Sequence, residues 1–267
     1  MPPPEAFYIA DPSAFGVFES TELTRGPWST GLQHAGPPCA LMAHVAERAR
    51  PPSDPPMQIV RFTAELLRPI PIARLEVGVE LLRPGKKVEL TAVTLQAAGQ
   101  TVARAHVLRM RVAPISFPPP ARETLPVPGP AESAPFEFPF FDAPIGYHLA
   151  FDLRCARGSF GQGPVAMWFR MRGTLVAGAA PAPVERVLAA ADSGNGISVV
   201  LDHRRYLFIN SDLTVHLHRM PSTEWVCLDA RTTPEPLGVG LADTRLYDER
   251  GPIGRGCQSL FIDYRTP

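Results

Sequence analysis

Two kinds of apolar spacing alternate along the chain, a period of two and a helical period, and the sequence of them comes round twice. In the first half a strand is expected near AFGVFES (14–20). A helix over 39–49 follows within GLQHAGPPCALMAHVAERA, where the adjacent prolines suit a first helical turn whose N–H groups lack partners anyway. A run of strands comes next at 58–68, 73–85, 87–99 and 100–112, with Gly85 and Gly99 marking hairpin turns. The second half repeats the order. Strands are expected around GYHLAFDLRCARG and GPVAMWFRMRGTL, a helix over 182–192, and strands at 213–219, 224–236, 238–251 and 252–265.

Residues 113–144 separate the halves, and ten of those 32 residues are proline. Neither a helix nor a central strand persists through such a stretch. It reads as an extended crossover between two modules, 1–112 and 145–267, with Phe136, Phe138, Phe140 and Phe141 pinning its second half to the surface.

The halves also align without a gap. FTAELLR (62–68) falls on LTVHLHR (213–219) at an offset of 151, and the same offset sets TVARAHV (101–107) on PIGRGCQ (252–258). Arg68 and Arg104 thereby match Arg219 and Arg255. The fold class expected is α+β: in each module one helix buries its apolar stripe on the apolar face of a twisted antiparallel sheet. Pairing the two modules edge to edge would cover exposed strand edges.

Composition narrows the function. The 267 residues carry 26 Lys+Arg against 26 Asp+Glu, so nothing concentrates the positive charge that nucleic acid requires. Hydrophobic residues make up 45%, yet no run of about 20 apolar residues occurs and the N-terminus lacks a basic-then-apolar leader. No membrane insertion and a cytoplasmic location are the expectation. Cys39, Cys155, Cys227 and Cys257 form no CxxC pair, so neither a metal site nor a disulfide framework is expected. His216 and His218 share a strand face without a third ligand nearby. No nucleophile elbow, dinucleotide fingerprint or phosphate loop is present.

A terminal strand, PIGRGCQSLF (252–261), carries Gln258 in its apolar tail, and an amide is costly to bury without partners. The stretches GPWSTGLQHAGPPCALMAHVAERA, RFTAELLRPIPIARLEVGVELLRPGKKVELTAVTLQAAGQTVARAHVLRM and INSDLTVHLHRMP resemble the acyl-CoA thioesterase II (TesB-like) family, over about residues 10 to 265. That resemblance implies a double hotdog fold, two helix-wrapped sheets forming an intramolecular pseudo-dimer. It also implies hydrolysis of acyl-CoA through an Asp, a Thr or Ser, and a Gln that together orient a water. The matching positions are Asp192 in LAAADSGNG, Asn210 in FINSDLTVHLHR, and Gln258. Asn210 departs from the family's hydroxyl, with Ser211 adjacent as a substitute and Asp212 next to it. His34, Ala35 and Gly36 of GLQHAGPP are expected beside the substrate, with the Gly36 amide free for the thioester carbonyl.

No cofactor or metal is expected, and acyl-CoA is the implied small-molecule partner. Arg68 or Arg104 could meet its diphosphate. A homo-oligomer and a monomer both stay open. Two other readings share the fold: a non-hydrolytic acyl-CoA or acyl-carrier binding protein, and an enoyl-thioester hydratase or dehydratase. Asp192 and Asn210 also fit ordinary helix-end and strand-entry turns.

Overall fold

The computed structural model describes residues 5–50, 55–116, 118, 125–141 and 143–265, so residues 117, 119–124 and 142 of the crossover lie outside the described residues. The first half runs β1 (Ala6–Ala10), β2 (Val17–Ser20), α1 (Gly36–Arg48), β3 (Met57–Leu66), β4 (Arg74–Arg83), β5 (Val88–Ala97) and β6 (Gln100–Arg111). The two-residue β7 (Ala134–Pro135) lies in the proline-rich stretch. The second half runs β8 (Phe151–Arg157), β9 (Val165–Met171), β10 (Thr174–Val176), α2 (Pro183–Ala191), α3 (Gly194–Ile197) and β11 (Tyr206–Asn210). It closes with β12 (Asp212–Leu217), β13 (Trp225–Glu235), β14 (Val239–Asp248) and β15 (Gly251–Tyr264).

Strand alternation does what the pattern requires. In β5 every second residue from Glu89 to Ala97 is buried, so one face of the sheet takes the helices. Helix α1 begins three residues ahead of the expected start because Pro37 and Pro38 occupy its first turn. Its residues Gly36 through Ala46 are all buried, as befits a helix wrapped by sheet.

The two helices pack side by side and antiparallel. A Cβ on Gly36 would lie 2.2 Å from the Ala189 carbonyl oxygen, so only glycine lets the start of α1 come this close to the end of α2. At the opposite ends of the pair, Glu185 is 1% exposed. Its Oε1 lies 2.8 Å from His44 Nδ1 and accepts from Arg48 Nη1 at 3.2 Å, while Oε2 accepts the Ala182 N–H at 2.9 Å. A buried carboxylate with three such partners is tolerable; one left alone is not.

Among the described residues the strands form one sheet. Its middle is β3 against β12, antiparallel from Glu65↔Asp212 to Arg61↔His216. At the centre Thr63 faces Thr214, which is also its counterpart under the offset of 151, and the two hydroxyls lie 3.4 Å apart. Outward from this junction the halves follow the same course: β3, β6, β5, β4, β2, β1 on one side, and β12, β15, β14, β13, β9, β8 on the other. Strand β10 pairs in parallel with β1 although only two residues separate it from β9, so the ends of the sheet curl toward each other around the helices.

The crossover is fastened at two places. Val127 packs with Trp168 and Tyr247, and Trp168 Nε1 donates to the Pro128 carbonyl at 2.9 Å. Phe136, Phe138 and Phe140 form a chain of ring contacts that continues to Phe160 and His203. Among the described residues no helix is long and apolar enough to cross a membrane.

Candidate active site

The β3–β12 ladder ends at Glu65↔Asp212, and beyond it the two chains part. After β3 the chain turns aside, with the N–H groups of Leu67 and Arg68 donating to the Val102 carbonyl. Strand β11 stays on β15. The wedge between them is a cavity of about 460 Å³. Leu32 and Ile70 wall it from the first half, Tyr147 and Phe208 from the second, and Phe138 and Phe140 from the crossover. Against these apolar walls stand His34, Asp192, Asn195 and Asn210.

Asp192 is the residue that ends α2, and it is 4% exposed. Its Oδ1 accepts from Asn210 Nδ2 and from Gln258 Nε2, each at 3.0 Å. Gln258 is 2% exposed, and its whole amide is engaged. Nε2 also donates to the Asp192 carbonyl at 3.0 Å, and Oε1 accepts the Asn195 N–H at 3.1 Å. That accounts for an amide in a terminal core strand: every polar atom of it has a partner.

Gly194 makes the approach possible, since a Cβ there would lie 2.6 Å from Thr244 Oγ1 and 3.0 Å from Gln258 Oε1. Asn195 is held in turn by Thr232, whose hydroxyl donates to Asn195 Oδ1 at 3.3 Å, and Asn195 Nδ2 reaches Asn210 Oδ1 at 3.5 Å.

The second carboxylate oxygen of Asp192 faces His34, with Nδ1 at 3.2 Å. The Gly36 N–H points at the same Nδ1, also at 3.2 Å. The His34 ring lies flat on Tyr147, with centroids 3.7 Å apart and planes 3° from parallel. The Tyr147 hydroxyl donates to the Ala189 carbonyl at 2.7 Å and lies 2.8 Å from Ser193 Oγ. Burial lowers the His34 pKa below the ordinary 6.5, and the Asp192 charge opposes that only in part. Burial likewise raises the pKa of Tyr147.

Of the residues expected near substrate, His34, Ala35, Asp192 and Asn210 line the cavity, and Gln258 stands behind Asp192 rather than in the wall. The Gly36 amide is directed to His34 instead of the cavity. Ser211 is exposed, with its hydroxyl on the Ser259 carbonyl, and Asp212 accepts the Ser259 N–H at 2.7 Å; neither lines the cavity. Asn210 itself, not Ser211, reaches the carboxylate. Arg68 stands at the cavity rim, whereas Arg104 is exposed on β6 away from it.

Asn195 and Tyr147 enter the site without having been singled out. The run DSGNG held a signal for the first; a lone tyrosine ahead of a strand holds none. The four cysteines carry free thiols whose pKa values are all raised, burial being the main cause, which argues against a thiolate nucleophile. Cys257 and Gln258 lie on opposite faces of β15, and His216 and His218 are exposed. Among the described residues no three His, Cys, Asp or Glu side chains gather as a metal site. Chemically, a carboxylate fixed by two carboxamides at the polar end of an apolar cavity can orient a water and accept its proton.

Comparison with known proteins bears on this geometry. Residues 24–110 match the family described as acyl-CoA thioesterase N-terminal domain, and residues 119–262 match its C-terminal domain counterpart. No curated protein matches the chain by sequence. Among solved structures, a protein described as a thioesterase II from Thermobifida fusca YX is similar at 15% identity, covering 96% of this chain and 95% of its own, with a TM-score of 0.75. A conserved protein of unknown function with a hotdog fold from Alicyclobacillus acidocaldarius is 16% identical over 98% and 97%, with a TM-score of 0.74. The acyl-CoA thioesterase II TesB2 from Mycobacterium marinum is 14% identical over 94% and 93%, at 0.65. These likenesses establish the hotdog fold.

Proposed function

Because the chain belongs to the acyl-CoA thioesterase family of thioester hydrolases, we propose that it cleaves an acyl-CoA into free acid and CoA using a water held at Asp192. In this reading the carboxylate takes a proton from the water as its oxygen attacks the thioester carbonyl. The tetrahedral intermediate then expels the CoA thiolate, which recovers the proton from Asp192. Asn210 fixes the carboxylate and steadies the water, and Gln258 acts through Asp192 as a positioning residue. Asn195 Nδ2 supplies a donor for the developing oxyanion. His34 in its neutral Nε2–H tautomer leaves Asp192 Oδ2 free for the water.

The observation that carries this reading is the clasp of Asn210 and Gln258 on one carboxylate oxygen, at the end of an apolar cavity. The walls suit an apolar acyl chain.

We read the architecture as a double hotdog. Modules 1–112 and 145–267, joined by the crossover 113–144, are related by an approximate two-fold through Thr63 and Thr214. The mirrored strand order supports it. Such an arrangement has two helix-crossing ends, and only one keeps the clasp; at the other, Glu185 is tied to His44 and Arg48.

The test is thiol release from acyl-CoA esters spanning short to long chains, followed with purified protein. Release well above buffer is expected for at least one ester. A folded protein that releases none contradicts the proposal.

A further inference from the structure

We infer that the cavity-side edge of β11 holds the pantetheine arm of the substrate by main-chain hydrogen bonds, as if the arm were an added strand; this rests on the acyl-CoA reading above. Strand β11 pairs antiparallel with β15 from Tyr206↔Tyr264 to Asn210↔Leu260. In such a ladder alternate residues turn both main-chain groups to the neighbour, and those between turn both away. The Arg265 N–H donates to the Arg205 carbonyl, and the Ser211 N–H donates to the Ser259 carbonyl. Residues 205, 207 and 209 therefore face β15, as does the N–H of Ser211, whose carbonyl turns to Leu66 instead. The N–H and C=O of Phe208 and Asn210 face the opposite edge.

Among the described residues no strand lies on that edge, because β12 and β3 pair only as far as Asp212↔Glu65. The N–H groups at the start of the facing wall are engaged elsewhere. The Leu66 N–H donates to the Ser211 carbonyl, and those of Leu67 and Arg68 donate to Val102. Leu207 through Asn210 and residues 66–70 line opposite walls of the cavity. Open donors and acceptors thus stand in an otherwise apolar wall, about 7 Å apart along the strand by the rise of some 3.3 Å per residue. An acyl chain offers such an edge nothing. Pantetheine, an extended arm with two secondary amides, offers both a donor and an acceptor at each of them.

The direction follows from Asn210. Its side chain grips Asp192 while its main chain belongs to the open edge, so the thioester lies at that end. The arm then runs toward Tyr206 and leaves the cavity beside Arg204, Arg205 and Arg265, all exposed. None of the three has a carboxylate partner among the described residues, and Arg265 lies over the Trp28 ring at the rim. Cations at that end match the phosphates that follow pantetheine in CoA.

Amide hydrogen exchange on the whole protein, with and without saturating CoA, tests this directly. Exchange at Phe208 and Asn210 is expected to slow at least about tenfold with CoA, while Leu207 and Ile209, already paired, change little. Unchanged exchange at Phe208 and Asn210 with CoA shown bound by calorimetry overturns the inference, and so does absence of CoA binding. A second arm compares acyl-CoA hydrolysis with that of thioesters whose two amides are replaced by esters. A loss of kcat/KM of about tenfold per amide is expected. Equal kcat/KM for both overturns the inference and leaves the hydrolase reading standing, whereas failure to cleave any thioester removes that reading too.

Discussion

The nitrogen Nδ1 of His34 cannot accept the Gly36 N–H and donate to Asp192 at once. Whether that nitrogen carries a proton selects between them. The neutral ring, in its Nε2–H tautomer, takes the Gly36 amide; the imidazolium turns its Nδ1 proton to Asp192 Oδ2 and occupies the oxygen that would receive the water's proton. Burial lowers the His34 pKa, so the neutral form prevails at neutral pH and the imidazolium forms only in acid. The kcat/KM for an acyl-CoA is expected to fall as pH drops through a midpoint below 6.5, the ordinary histidine value. In His34→Gln that acid limb should shift or vanish; a profile identical to wild type contradicts the assignment. At this scale the grouping of Asp192, Asn210 and Gln258 came from the family resemblance carried by LAAADSGNG, FINSDLTVHLHR and GRGCQSLF; taken alone, the first two residues fit ordinary helix-end and strand-entry turns. Tyr147 was not legible, since its place comes from stacking on a residue 113 positions earlier, at His34, and a sequence carries no local mark of that.

Gly36 governs the elements. The start of α1 meets the end of α2 at a distance that excludes any side chain on that glycine, and this contact is what carries His34 to Asp192. Gly36→Ala would press a methyl onto the Ala189 carbonyl, a backbone atom that moves only with its helix. The expected cost is about 1–3 kcal/mol of stability with a drop in kcat, read by denaturant unfolding and steady-state rates. An unchanged unfolding midpoint would show that the helices can separate freely. Helix positions and the long central strands followed from periodicity and proline placement. Strand β11 did not: LFIN ahead of SDL reads as a turn entry, and its extended form depends on β15 beside it. The same holds for β1, which gains its order from β2 and β10, both distant or short.

Over the whole molecule, the repeat offset of 151 reappears as Thr63 facing Thr214, so a regularity in the sequence becomes a geometric one at the junction. The crossover's part in the cavity was less legible. Its phenylalanines were expected to pin a surface segment, and they do pack, but Phe138 and Phe140 also wall the cavity. Replacing both by alanine should widen the cavity and move the preferred acyl-CoA toward longer or bulkier chains, measured across a substrate series. An unchanged preference would place the acyl end elsewhere. The most direct test of the account is thiol release from the best acyl-CoA substrate by wild type and Asp192→Asn, with both shown to be folded. A fall of about 10²–10⁴-fold in kcat is predicted for the variant, and a variant as fast as wild type would contradict it.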